Sequence, residues 1–167
     1  MALDGVRQPL KEMRGDLVYE EDQLIGDLTV RESLHAALDL RREHLKKDER
    51  HKRVEDVVAE LGLSHVIDNV IGTVLKRGLS GGQQRRCSVG MELVQPPTVL
   101  FIDEPTSGLD ATTAYTLIDF IRRLARESGG RLGVVVSLQQ PNLRLLQLVD
   151  HIVILGQGEF RKLGCDW

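Results

Sequence analysis

The sequence predicts an α/β fold built on a parallel sheet, and three stretches of its second half carry that prediction. "TVLFI" (98–102), "GVVVSL" (133–138) and "HIVIL" (151–155) are short, nearly continuous apolar runs. They alternate with helical patterns: "DATTAYTLIDFIRRLARESGG" is amphipathic and ends in glycines, and "NLRLLQLVD" is a shorter helix candidate. Apolar strands alternating with helices imply a parallel sheet covered on both faces. Gly156-Gln157-Gly158-Glu159 then reads as a turn.

The first half follows a different pattern. Asp16 to Tyr19 is a short strand candidate, and "LTVRESLHAALDL" opens a helix with Thr29 as N-cap and Glu32 three residues on, a capping box. From Asp48 to Leu61, Val54, Val57, Val58 and Leu61 recur at helical spacing, with Gly62 as the terminating residue. This part is helical. There is no internal repeat, low-complexity segment or long linker.

With 167 residues, 41% hydrophobic and 28% charged, the chain has enough apolar material for one globular domain. A net charge of -3 gives no general electrostatic reason to bind nucleic acid or an anionic membrane. The basic run Arg41, Arg42, Lys46, Lys47, Arg50, Lys52 and Arg53 is interleaved with Glu43, Asp48, Glu49 and Glu55, so it reads as a solvated helix face before a binding patch. Cys87 and Cys165 are far apart, and neither they nor the five histidines have metal-ligand spacing, so a reduced intracellular thiol pair and no zinc site are expected. The first residues are too charged for a signal peptide, and no apolar run approaches the roughly 20 residues of a membrane helix. If the protein works at a membrane, something outside these residues has to anchor it.

The chemistry concentrates in "LSGGQQRRCSVGMELVQPPTVLFIDEPTSGLD", residues 79–110. Ser80 is an N-cap candidate with Gln83 at the capping-box position. Gly81 and Gly82 leave bare backbone N–H groups at the positive end of the helix dipole, which suits an anion such as a terminal phosphate. An ordinary glycine-rich helix start fits the same residues. "VLFI" delivers Asp103 and Glu104 at its carboxyl end, where ligands bind in open α/β sheets. One carboxylate of such a pair holds Mg²⁺ in nucleotide hydrolases, and its neighbour orients and deprotonates the attacking water. Acidic residues also end strands simply as helix caps.

Taken together, "LSGGQQRR" resembles the signature motif of ABC ATPases, "VLFIDE" their Walker B strand and "SGLD" their D-loop. "LTVRESL", "GMELV", "DEPTSGLD" and "QQPN" most resemble the G subfamily, the white-type half transporters and pleiotropic drug resistance pumps. The resemblance implies a P-loop NTPase-like core over about 98–167 with Walker B, D-loop and switch loop. It also implies a helical subdomain over about 26–97 carrying the signature. Two cassettes of this family pack head to tail around ATP and Mg²⁺. Leu79, Ser80, Gly81, Gly82 and Gln83 would therefore face a nucleotide held by a partner cassette. Asp103 would hold Mg²⁺ and Glu104 would act on water in the chain's own site, with Asp110 at the dimer seam.

Three departures from the pattern bear on activity. No G-x-x-x-x-G-K-[ST] occurs in these residues, so the Walker A strand and phosphate cradle of the family are missing from them. In "LVYEED", which resembles the Q-loop, Glu20 stands where glutamine is expected; it offers Mg²⁺ an oxygen but adds negative charge beside phosphate. In "SLQQPN", which resembles the switch loop, Gln139 replaces the usual histidine and cannot become cationic.

The leading expectation is a cassette that couples ATP binding and hydrolysis to transmembrane export, at the cytoplasmic face of a membrane and joined to transmembrane helices outside this chain. The alternatives are a non-catalytic module that only donates its signature turn, and a soluble ABC ATPase acting on DNA or ribosomes. The short mixed-charge helical segment between Q-loop and signature disfavours the last, and no nucleic-acid partner is expected.

Overall fold

The computed structural model describes residues 2–3, 6–7, 15–19, 24–41, 45–73, 75–95, 97–156 and 159–163. Two two-residue strands, β1 (Ala2–Leu3) and β2 (Val6–Arg7), form a small antiparallel pair that the sequence pattern did not disclose. Glu20 lies outside the described residues, as do Arg42, Glu43, His44, Gln157, Gly158 and Cys165.

The parallel sheet has three strands in the order β3 (Gly15–Val18), β4 (Val99–Ile102) and β5 (Gly133–Val136). Its register aligns Leu17 with Phe101 and Val135, and Val18 with Ile102 and Val136. Side chains alternate between faces along a strand, so these two rows point to opposite sides. Val18, Leu100 and Ile102 are buried, whereas Leu17, Phe101 and Val135 are 45%, 41% and 46% exposed. The expectation of a sheet covered on both faces is therefore corrected. Among the described residues the second row stays outside the core, while Val18, Leu100 and Ile102 of the first cluster with Leu117, Ile118 and Leu145 of the helices.

Among the described residues four longer helices accompany this sheet, of which the third and fourth in chain order pack on its strands. In α1 (Val30–Leu40), Val30, Ser33, Leu34, Ala37 and Leu38 form the buried stripe, a 3.6-residue period. Thr29 and Glu32 close the expected capping box, with Thr29 N–H donating to Glu32 Oε2 at 2.8 Å and Glu32 N–H to Thr29 Oγ1 at 3.2 Å. The helix α2 (Lys47–Glu60) buries Val54, Val57 and Val58, and the chain leaves it through Gly62 at φ +65°. After a 3₁₀ turn at Ser64–Val66, the backbone crosses itself: a Cβ on Gly72 would lie 2.7 Å from the Gly78 Cα, which is why both positions are glycine. This crossing places Leu79 N–H on Ile71 O at 2.9 Å and aims the next residues into α3 (Gly81–Leu93). The helix α3 packs against α1, α2, β3 and α4 and buries Cys87, Val89 and Leu93. Cys87 is fully buried in the core.

The basic run around α2 divides: Lys46, Lys47 and Lys52 stay exposed, while three of its arginines are spent within the fold. Arg53 donates to Val94 O at 2.9 Å and to Leu93 O, closing the C-terminal end of α3, where a cation also meets the negative end of the helix dipole. Arg41 pairs with Glu92 and, at 3.4 Å, with Asp16, and Arg50 pairs with Asp39. For these arginines the reading as a solvated face gives way to bridging between elements. Arg31 similarly joins α1 to α2 through Glu55 and to the segment after the 3₁₀ turn through Asp68, and these bonds raise its pKa.

Beyond β4, α4 (Ala111–Glu127) buries Ala114, Leu117, Ile118 and Ile121, and Gly129 and Gly130 turn the chain at positive φ into β5. The helix expected over "NLRLLQLVD" is a single turn, α5 (Leu143–Leu146), capped by Asn142. "HIVIL" is also corrected. It forms β6 (Ile152–Gly156), which pairs antiparallel with β7 (Glu159–Leu163) and, among the described residues, does not join the parallel sheet. A strand followed closely by a second strand and a Gly-containing turn closes a hairpin at low loop-closure cost. Val153, Ile154 and Leu155 are accordingly more exposed than the apolar run implied.

Candidate functional site

Parallel strands end on the same edge of a sheet, so β3, β4 and β5 deliver Tyr19, Asp103 and Ser137 to one place. The ladder continues past the strands: Asp103 N–H donates to Val18 O at 2.9 Å, and Ser137 N–H to Ile102 O at 3.0 Å. Side chains then bind the three ends together. Ser137 Oγ donates to Asp103 Oδ1 at 2.6 Å and accepts from Glu104 N–H at 2.8 Å. Glu104 has φ +40°, an unusual backbone for a residue with a Cβ, and Ser107 N–H donates to its carbonyl at 3.1 Å. The turn after Glu104 thus departs from both strand and helix.

Arg85 closes the edge from the helical side. It is 4% exposed and donates to Tyr19 O at 2.5 Å, Asp103 O at 2.7 Å and Glu104 O at 3.1 Å. A guanidinium presents five N–H donors in a rigid fork, which lets one side chain satisfy carbonyls from two strand ends. Arg85 sits on the helix whose first turn carries the glycines, so α3 joins that turn to the Asp103–Glu104 pair. Neither Arg85 nor Ser137 was singled out from the sequence. "QQRR" and "VVVSL" give no signal for which polar side chain turns inward.

The glycine turn itself is built as expected at its cap. Ser80 N–H donates to Gln83 Oε1 at 2.9 Å and Gln83 N–H to Ser80 Oγ at 3.3 Å. Gln83 Nε2 lies 3.4 Å from His65 Nε2, and Gln84 Nε2 donates to Ile71 O at 3.1 Å. Leu79 is 8% exposed and anchors the turn through its side chain. Gly82 is needed for packing within the chain as well as for bare backbone, because a Cβ there would lie 2.5 Å from Thr113 Cγ2. A polar cleft beside the turn is lined by Thr73, Lys76, Arg77, Ser80 and Gln83.

Asp110 caps α4. Its Oδ1 accepts from Thr112 N–H at 3.0 Å and Thr113 N–H at 3.1 Å, and its Oδ2 from the Thr113 hydroxyl at 2.5 Å. These bonds, that from the hydroxyl foremost, hold its carboxyl below the usual aspartate range. Gln139 is exposed two residues beyond Ser137, and Gln140 after it has φ +49°.

The donor set suits Mg²⁺ shared with phosphate. Asp103 keeps Oδ2 without a hydrogen-bond donor among the described residues, and no group of three or more His, Cys, Asp or Glu forms a protein cage there or elsewhere among them. Mg²⁺ typically takes one or two carboxylates and completes its shell with phosphate and water. The first turn of α3 likewise leaves N–H groups that have no acceptor inside the helix. No helix among the described residues is long and apolar enough to cross a membrane.

Comparison with known proteins gives a consistent picture. The sequence model of the ABC transporter family matches residues 6–107. The chain is 36% identical over 159 residues to the broad substrate specificity ATP-binding cassette transporter ABCG2 of Rattus norvegicus, covering 94% of this chain and 24% of the relative. It is 45% identical over 143 residues to ABC transporter G family member 24 of Dictyostelium discoideum, covering 84% and 12%. To ABC transporter G family member 14 of Arabidopsis thaliana it is 43% identical over 146 residues, covering 87% and 22%. The chain spans about a quarter or less of the length of these relatives.

Proposed function

Because the chain belongs to the ABC transporter family and is a G-type cassette sequence, we propose that it forms part of a nucleotide-binding cassette coupling ATP binding and hydrolysis to export across a membrane. The cassette works on the cytoplasmic face, joined to transmembrane helices outside these residues and paired head to tail with a second cassette. Residues of about 26–97 serve as the helical subdomain and about 98–167 as the nucleotide-facing core. The observation that carries the reading is the shared strand edge, where Asp103 and Glu104 sit at the carboxyl end of β4 between β3 and β5.

In this reading Asp103, with Glu20, holds Mg²⁺, which when bound neutralises charge on the phosphates of ATP. Glu104 orients the attacking water and accepts its proton. Gln139 donates an amide hydrogen bond toward the terminal phosphate, without the cationic option of histidine. Ser80, Gly81 and Gly82, backed by Leu79 and Gln83, offer hydroxyl and backbone donors to the partner's nucleotide, and Asp110 lies at the seam. The acidic pair and the glycine turn thereby serve two different composite sites. Because Glu20 and Gln139 depart from the family pattern, the chain's own site turns over slowly and its stronger contribution is the turn given to the partner.

The test is a pair of single-turnover ATP hydrolysis assays on full-length chains in a mixed dimer with a competent partner cassette. Removing one preorganised donor costs on the order of 3 kcal/mol of transition-state stabilisation, a rate loss of at least 100-fold. Ser80→Arg should therefore abolish hydrolysis at the partner's site, and Glu104→Gln should slow the chain's own. A partner rate unchanged by Ser80→Arg refutes the composite-site reading.

A further inference from the structure

Ser137 opens the segment that resembles the switch loop and has no role in the assignment above, yet its hydroxyl occupies the junction of the acidic pair. One oxygen does two things there: it donates its proton to Asp103 Oδ1 at 2.6 Å and takes the Glu104 backbone N–H at 2.8 Å. A serine hydroxyl has one proton and two lone pairs, so both bonds are satisfied at once. The first is charge-assisted and among the stronger kinds of hydrogen bond. The second holds the peptide of a residue at φ +40°. Ser137 is itself held in register by its own N–H on Ile102 O at 3.0 Å.

We propose that Ser137 is a positioning residue for the Asp103–Glu104 pair, fixing the Asp103 carboxylate so that Oδ2 is presented to a divalent cation while the Glu104 backbone is held beside it. The bond to Oδ1 selects one orientation of the carboxylate in advance, so a cation does not have to impose it on binding. A hydroxyl at the end of β5 thus tunes a ligand at the end of β4, a link across 34 residues of sequence. The inference rests on the reading of Asp103 as the Mg²⁺ ligand.

The experiment uses the full-length chain with ATP and Mn²⁺ as the probe, with free Mn²⁺ followed by electron paramagnetic resonance. Loss of a hydrogen-bond partner behind a metal ligand typically weakens metal binding 10- to 100-fold. Ser137→Ala should raise the half-saturating Mn²⁺ concentration by about tenfold, with little change in melting temperature. Ser137→Thr, which restores a hydroxyl, should return it to within about twofold of the wild type. If Ser137→Ala binds Mn²⁺ like the wild type, or shifts only the melting temperature, or if Ser137→Thr is as weak as Ser137→Ala, the proposal is overturned. Should Ser137→Ala not fold, Ser137→Cys replaces it: the weak thiol donor should give a clear rise in half-saturation, and wild-type affinity again overturns the proposal. Asp103→Asn separates the two levels. If it abolishes Mn²⁺ binding while Ser137→Ala has no effect, only Ser137's role fails; if Asp103→Asn binds normally, the assignment of Asp103 fails.

Discussion

Arg85 and Arg86 are neighbours in one motif and have different environments. Arg85 is buried with its guanidinium on the carbonyls of Tyr19, Asp103 and Glu104, while Arg86 is half-buried, with an Nε that makes no hydrogen bond and a pKa lowered by desolvation. Removing Arg85 takes this donor from the Tyr19 and Asp103 carbonyls, a cost of about 1–3 kcal/mol each when no water replaces the side chain. In the full-length chain we expect Arg85→Met to lower unfolding free energy by about 3 kcal/mol, and Arg85→Lys to recover part of that through one of the contacts. Denaturant unfolding of the two variants measures this directly. An Arg85→Met variant within 0.5 kcal/mol or so of the wild type, the range of ordinary surface changes, contradicts it.

At the scale of elements, three of the four longer helices begin at a residue whose side-chain oxygen accepts from the open N–H groups, whereas α2 begins at Lys46 without such a bond. Thr29, Ser80 and Asp110 all cap with side-chain oxygens, and only Asp110 does so with a titratable one. Its folded pKa is depressed, so the cap contributes stability that is complete above the ordinary aspartate value of about 3.9 and is lost as pH falls through the lower folded value. Unfolding midpoints measured from pH 6 down to pH 2, a range of about four pH units bracketing that value, should fall more steeply for the wild type than for Asp110→Asn, which keeps an acceptor but cannot be protonated. Equal slopes would show that the cap contributes nothing to the acid sensitivity. The capping boxes were legible in the sequence because both partners lie within three residues of each other. The one-turn length of α5 was not, since "NLRLLQLVD" has helical spacing throughout.

For the molecule as a whole, the sheet has one buried face and one row, Leu17, Phe101 and Val135, open to solvent at close to half of each residue's surface. Contiguous exposed apolar surface on a sheet drives self-association. We expect residues 1–167 alone to bind a hydrophobic dye and to associate with rising concentration, and Phe101→Lys to reduce both; monodisperse behaviour by light scattering at all concentrations would contradict this. The sequence by itself determined the helices α1, α3 and α4 with their caps, strand β4 and the acidic pair at its end, because those depend on spacing and on neighbours only a few residues apart. It also determined the order of the motifs and hence the family. The tertiary structure alone decided that β3 is the third strand of the sheet, that β6 leaves it for β7, and that one sheet face stays open. It alone also brought Ser137 to Asp103 and Arg85 to Tyr19, across 34 and 66 residues respectively. Such contacts depend on where the chain path returns in space, and a polar residue that bridges strand ends has the same local pattern as one that faces water.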